Sequence, residues 1–216
     1  MDLAPSPLAA TEPPRDCPRC PRLVALRERL RAEQPEWWNA PVPALGDPGA
    51  WLVIVGLAPG RNGANRTGRA FTGDAAGALL FATLARLGLA VAGSDGEAAA
   101  LDGALILNAV RCLPPENKPS PEEARACRPF LAAGAAALPA ARVFVALGQL
   151  AHQSAIKALG GRLPKARFAH GAEHRLPDGR VVLDSYHCSR YNQQTGRLTP
   201  AMLEAVFERA LALRAG

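Results

Sequence analysis

The sequence predicts an α/β fold, a parallel sheet with helices on both faces. Three observations carry this. Four short apolar runs recur along the chain, near residues 51–57, 104–110, 142–148 and 180–184. Helical patterns separate them, and strands alternating with helices give a parallel sheet. Polar or glycine-rich stretches follow the first, second and fourth runs. A parallel sheet brings such stretches to one edge, where open α/β sheets bind ligands.

The elements follow in order. Residues 1–16 are rich in Pro, Ala and acidic side chains and read as a loose tail. Cys17-Pro18-Arg19-Cys20 opens a helical pattern with Leu23, Leu26 and Leu30 at helical spacing. A proline-rich loop over 35–48 carries Trp37 and Trp38, read as packing anchors. The first strand, Trp51-Leu52-Val53-Ile54-Val55, leads into Gly56-Leu57-Ala58-Pro59-Gly60 and on to Asp74. A loop this long is uncommon and usually functional. A helix over 75–87 buries Leu79, Leu80, Thr83, Leu84 and Leu87. Residues 93–103 are expected as a turn or short helix.

The second strand ends at Asn108-Ala109-Val110-Arg111-Cys112. Ser120-Pro121-Glu122-Glu123 is a helix start, with a serine cap, proline at the first helical position and a capping box. The third strand precedes a helix over 149–159. Scattered basic residues with His170 and His174 fill 160–178. The fourth strand delivers Ser185-Tyr186-His187-Cys188-Ser189-Arg190-Tyr191, and Thr199-Pro200 starts a final amphipathic helix.

The 216 residues suit one domain, over 17–216, and 49% of the chain is hydrophobic, enough for a sizeable core. A formal charge of +6, with Arg far outnumbering Lys, suits phosphate contact and is also what a GC-rich genome produces. No apolar run approaches a membrane span and no secretory signal layout is present. The expectation is a cytoplasmic protein with reduced cysteines, free for metal or cluster binding. Cys17, Cys20, Cys112 and Cys127 are the candidates. Four thiolates hold zinc or an iron–sulfur cluster. The wide spacing of the second pair leans toward a cluster, while zinc and plain core cysteines stay open. Cys188 is read as packing.

These residues together resemble a known family. GLAPG followed by NRTGRAFTGD, then NAVRCLPP with Asn117-Lys118-Pro119, the four cysteines, and His187-Cys188-Ser189 with the 194–198 segment QTGRL are similar to the iron–sulfur uracil-DNA glycosylases, most closely their type B, or family 5, branch. The resemblance runs from Cys17 to Leu198. It implies an α/β/α sandwich around a four-stranded parallel sheet, a structural 4Fe–4S cluster on Cys17, Cys20, Cys112 and Cys127, and excision of bases from DNA by a monomer. Two departures stand out. Leu57-Ala58 are apolar, as in type B, where other branches carry an acidic or amide residue. Cys188 stands where relatives commonly have proline.

The chemistry follows from the bond to be broken. Cleavage at C1′ of deoxyribose develops a cationic sugar and an anionic base. His187 is the candidate donor to the base carbonyl. Asp74 is the candidate for favouring the sugar cation and positioning water, and it also fits an ordinary helix cap. Asn117 is a further candidate for contacting water or substrate. Phe71 is placed to stack on the base and Asn108 to read its edge. Main-chain groups of Gly56, Ala58 and Gly60 line the pocket in this reading. Arg190 and Tyr191 sit where the family wedges DNA, and Arg66, Arg69, Lys118 and Arg197 are candidate phosphate contacts. His152, His170 and His174 are read as structural or surface residues. No lysine nucleophile stands in these motifs, so no strand-nicking step is expected. The expected substrates are uracil and other deaminated or modified bases. The alternatives are a non-catalytic iron–sulfur lesion-binding protein and a uracil-only glycosylase.

Overall fold

The computed structural model describes residues 8–92, 98–163 and 165–215. In chain order they form a 3-10 turn (Ala9–Thr11), α1 (Pro21–Glu33), β1 (Leu45–Gly46), β2 (Leu52–Gly56), α2 (Ala64–Thr67), α3 (Ala75–Arg86), β3 (Ala90–Ala92), β4 (Ala98–Leu101) and β5 (Ala104–Asn108). A second 3-10 turn (Pro115–Asn117) follows, then α4 (Pro121–Ala136), β6 (Val143–Leu147), α5 (Gln149–Ala158), β7 (Glu173–Arg175), β8 (Val181–Ser185), α6 (Arg190–Gln194) and α7 (Pro200–Ala215).

The main sheet has the order β1-β5-β2-β6-β8-β7. Its four central strands are parallel and are the four predicted ones. The expected count of four falls short, because β1 and β7 add antiparallel edges to β5 and β8. Both edges are two- or three-residue segments with no apolar alternation. Residues 98–101, expected in a turn or short helix, pair with β3 as a strand, while 93–97 lie outside the described residues.

Side chains alternate across a strand, and both faces of this sheet are covered. Leu52, Ile54, Ile106, Val145 and Leu183 pack with Leu80 and Leu84 of α3 and Leu203 and Phe207 of α7. Val53, Val55, Leu105, Leu107, Phe144 and Val182 pack with Leu131 of α4 and Ala151, Ala155 and Ile156 of α5. Burial on both faces explains why the central strands read as continuous apolar runs. Helix α4 begins with the predicted capping box: Ser120 Oγ accepts the Glu123 N–H at 3.2 Å and Glu123 Oε2 accepts the Ser120 N–H at 2.7 Å.

The segment expected as a loose tail splits in two. Residues 1–7 lie outside the described residues. Residues 8–16 lie against the domain, with Leu8 buried and Glu12 accepting from the Ala44 N–H and from the buried Arg111. Its composition hid a single carboxylate with a buried guanidinium as partner.

Strand order reverses at β2, with β5 on one side and β6 and β8 on the other. In register, Gly56 pairs with Asn108 and Leu147 with Ser185. The loops after β2, β5 and β8 therefore leave from one edge, the ligand-binding edge of such sheets.

Candidate active site

A cleft of about 680 Å³ opens at that edge. It is lined by the loop after β2 (Leu57, Ala58, Gly60 to Ala64, Phe71, Gly73, Asp74), the start of α3, Asn108, Asn117, and His187, Ser189 and Arg190. Asp74, Asn117, His187, Phe71, Asn108, Ala58, Gly60 and Arg190, all singled out in the sequence, thus meet in one place.

The loop after β2 is fixed from several sides. The Asn65 N–H donates to the Gly60 carbonyl at 3.0 Å. Asn65 Nδ2 donates to Asn39 Oδ1 at 2.8 Å, and Asn39 donates to the Leu30 and Gln34 carbonyls, so the loop is pinned to α1. Helix α2 ends on Gly68 at φ 73°, with Trp38 lying against it where a Cβ would stand. This is the packing role read for Trp38.

Phe71 takes a left-handed φ of 55°. That is a costly conformation for an aromatic residue and persists only when its surroundings dictate it. Here the Phe71 carbonyl occupies the space beside Gly77, where an added Cβ would lie 1.5 Å away. The ring is turned inward, 8% exposed, and stacks on the His187 ring with centroids 6.5 Å apart and planes at 30°. Gly56 does not line the cleft. A Cβ there would stand 2.2 Å from Asn108 Oδ1 and 2.7 Å from Phe71 Cε2, so this glycine makes room for two cleft side chains.

Asn108 ends β5 and is 3% exposed, and its Oδ1 has no hydrogen-bond partner. A buried acceptor left unpaired is costly and marks a place for a donor from outside. Asp74 caps α3, its Oδ1 accepting the Gly77 N–H at 2.9 Å. Asn117 stands at the mouth, exposed, after Glu116; both have left-handed φ, 56° and 54°. His187 follows β8, with its Cβ against Gly148. Burial pushes its pKa below the ordinary imidazole value, and the Asp74 carboxylate partly offsets this. Cys188 is fully buried and its thiol is pushed up to about 12 by that burial.

The remaining candidates are not among the residues lining the cleft. Tyr191 is 70% exposed beside Arg190. Arg66 is exposed and donates to the Asn62 carbonyl at 2.9 Å. Arg69 sits in the same loop, half-buried. Lys118 is exposed and reaches Glu116 at 3.4 Å, and Arg197 lies over the Tyr186 ring at 4.7 Å. Sequence reasoning missed Arg61, Asn62, Gly63 and Ser189 in the lining, and missed Asn192 and Gln193, which bind the His187 loop. Asn192 Nδ2 donates to the His187 carbonyl at 2.7 Å, and Gln193 Nε2 to the Cys188 carbonyl at 2.7 Å. Their one visible signal was a pair of amides following a capping serine.

Cys17, Cys20, Cys112 and Cys127 line a separate, small cavity of about 20 Å³ between α1, α4 and the loop after β5. Burial raises the thiols of Cys112 to about 12 and Cys127 to about 11, although the Arg111 N–H donates to Cys127 Sγ at 3.3 Å. Among the described residues, His152, His174 and Asp184 bring three potential ligand atoms within 4.8 Å of one another. His152 and His174, read as structural or surface residues, both bond Asp184 at 2.8 Å; His152 is buried.

The model of the uracil DNA glycosylase superfamily matches residues 43–211. The chain belongs to this superfamily. Relatives named type-5 uracil-DNA glycosylase match it over most of its length. One from Thermus thermophilus is 48% identical, covering 89% of this chain and 91% of its own. One from Mycobacterium tuberculosis is 44% identical (91% and 78%), and one from Pyrobaculum aerophilum 42% (91% and 88%). A type-4 uracil-DNA glycosylase from Archaeoglobus fulgidus is 37% identical over only 52% of the chain. The sequence resemblance to the type-5 branch of the uracil DNA glycosylases is thereby borne out. No helix among the described residues is long and apolar enough to cross a membrane.

Proposed function

We propose that the chain is a monofunctional DNA glycosylase, hydrolysing the N-glycosidic bond of uracil in DNA as the first step of base excision repair. One observation carries it: Asn108, whose buried Oδ1 has no hydrogen-bond partner, lines the same cleft as Phe71, Asp74 and His187. Uracil offers an imide N–H to that oxygen, a π-face to Phe71 and a carbonyl to His187.

The base must leave the stack to reach this cleft. Arg190 and Tyr191 stand at its rim to hold the opened duplex, with Arg66, Arg69, Lys118 and Arg197 toward the phosphates. As the bond breaks, the His187 N–H donates to the base carbonyl, where negative charge gathers. Low-dielectric surroundings strengthen such a bond. The Asp74 oxygen not used in capping favours the cationic sugar and orients water for attack at C1′, and Asn117 contacts that water from the mouth. Apolar Leu57 and Ala58 supply no base of their own.

The substrate range extends to hypoxanthine and xanthine. A cleft of about 680 Å³ is roomy for one pyrimidine, and both purines present an N–H where uracil does. The four cysteines line one cavity, and four thiolates gathered there suit a 4Fe–4S cluster. When bound, the cluster cross-links α1, α4 and the loop after β5; the reaction needs no electron from it. The protein acts as a single domain and a monomer.

The test is a panel of duplexes with one uracil, hypoxanthine or xanthine each, offered without added metal. Conversion to abasic sites is expected. Intact duplexes bound without turnover would replace this reading by a lesion-binding one; turnover on uracil alone would narrow it. Iron and acid-labile sulfide in equal amounts are expected in the purified protein, and zinc in their place would overturn the cluster.

A further inference from the structure

Among the described residues, the hydrogen bond at His187 runs through its main-chain carbonyl, not its imidazole. That leaves the ring free for substrate. It also means that the ring is held in place by its backbone and by Phe71. The backbone is held by α6. Asn192 takes the His187 carbonyl, and Gln193 takes the next one, of Cys188, at 2.7 Å.

Gln193 does something more. The same Nε2 donates to the Ala75 carbonyl at 3.1 Å. A side-chain amide has two N–H donors, and here each goes to a different loop. Ala75 is the first residue of α3, next to the capping Asp74. Cys188 is next to His187. One amide group therefore ties the segment bearing Asp74 to the segment bearing His187.

Helix α6 is itself anchored. Ser189 Oγ accepts the Asn192 N–H at 3.3 Å, and the Asn192 carbonyl accepts the N–H of buried Leu198 at 3.0 Å. Arg190 and Tyr191 occupy the same five-residue helix. We propose that Gln193 is a positioning residue, setting the spacing of Asp74 and His187 by tying the start of α3 to the loop after β8. This rests on the glycosylase reading. It links the helix that meets DNA to the pair that does the chemistry.

The test uses Gln193→Glu, nearly the same shape, which puts an acceptor oxygen where the donor stood. Misplacing reacting groups by about 1 Å costs roughly 100-fold, so single-turnover excision above neutral pH is expected to fall roughly 10- to 100-fold. DNA affinity stays unchanged, because Arg190 and Tyr191 are intact. Lowering the pH protonates the new carboxyl and returns one donor, so the rate relative to wild type recovers. Gln193→Leu loses rate at every pH and never recovers. Thermal unfolding checks both variants, and if one fails to fold the other carries the rate comparison. Nuclear Overhauser contacts between the His187 and Phe71 rings in DNA-free Gln193→Glu are expected to weaken. Unchanged rates, or rate and DNA affinity falling in parallel, overturn the proposal, as do unaltered ring contacts. Wild-type protein that leaves uracil in place sinks the glycosylase reading instead, and the ring contacts then decide this one.

Discussion

Asp74 and Gly77 divide the Asp74 carboxylate into two halves. Oδ1 accepts the Gly77 N–H at 2.9 Å, while Oδ2 lies toward Gly60 and Gly63, where an added Cβ would meet it at 3.2 and 2.8 Å. One oxygen caps a helix and the other lies beside two glycines of the cleft lining. Asn is as good a cap as Asp, whereas Ala forfeits about 1 kcal/mol. Asp74→Asn should therefore keep its stability and lose excision by roughly 100-fold or more, the scale of one transition-state contact. Asp74→Ala should lose both. Urea unfolding and single-turnover rates separate the two effects.

His187 gives a pH dependence with a definite sign. Burial lowers its pKa in the folded protein below 6.5. The unfolded chain then binds more protons between the folded value and 6.5, so stability rises with pH across that window. The contribution is complete above 6.5 and is lost as pH falls through the folded value. The lowered pKa favours the neutral ring, which suits the proposed role of His187 as a hydrogen-bond donor rather than a cation. Asp74 holds the pKa up in part, so Asp74→Asn should lower it further. An imidazole titration followed by nuclear magnetic resonance checks this; a rise in the variant would contradict it.

Gly56→Ala tests the cleft without touching a reacting group. Its methyl would stand 2.2 Å from Asn108 Oδ1 and 2.7 Å from the Phe71 ring. Overpacking of this kind costs about 1–3 kcal/mol. Excision of uracil is expected to fall more steeply than stability, because the two displaced side chains are those proposed to hold the base. Rates and unfolding curves measured on one preparation decide it.

Arg190 lines the cleft rim and is exposed. If it meets a phosphate, Arg190→Ala should weaken binding to uracil-containing and normal duplexes alike. The slope of log affinity against log salt should drop by about one. An unchanged slope in a fluorescence titration would remove Arg190 from the phosphate contacts.

Much of the site was legible in the chain because its carriers are local. Asp74, Asn108 and His187 each follow an apolar run, and the alternation of runs and helices already places such positions on one edge. The capping box at Ser120 and the four parallel strands were legible for the same reason. Less was visible where the partner is distant in sequence. Glu12 with Arg111, Asn39 with Asn65, and His152 with Asp184 join segments that no window of sequence contains together. The short edge strands β1 and β7 carry no pattern, since two or three residues cannot show a period.

The sequence by itself determined the α/β class, the sheet edge that carries the cleft and the residue types gathered there, because periodicity and strand-to-loop order are local properties. Only the tertiary structure decided how those residues are held. It showed Gly56 as space for Asn108 and Phe71, Phe71 forced left-handed over Gly77, and Gln193 bridging Ala75 and Cys188. Each of these depends on atoms meeting within a few ångströms across loops far apart in the chain, and such contacts exist only once the sheet has brought those loops together.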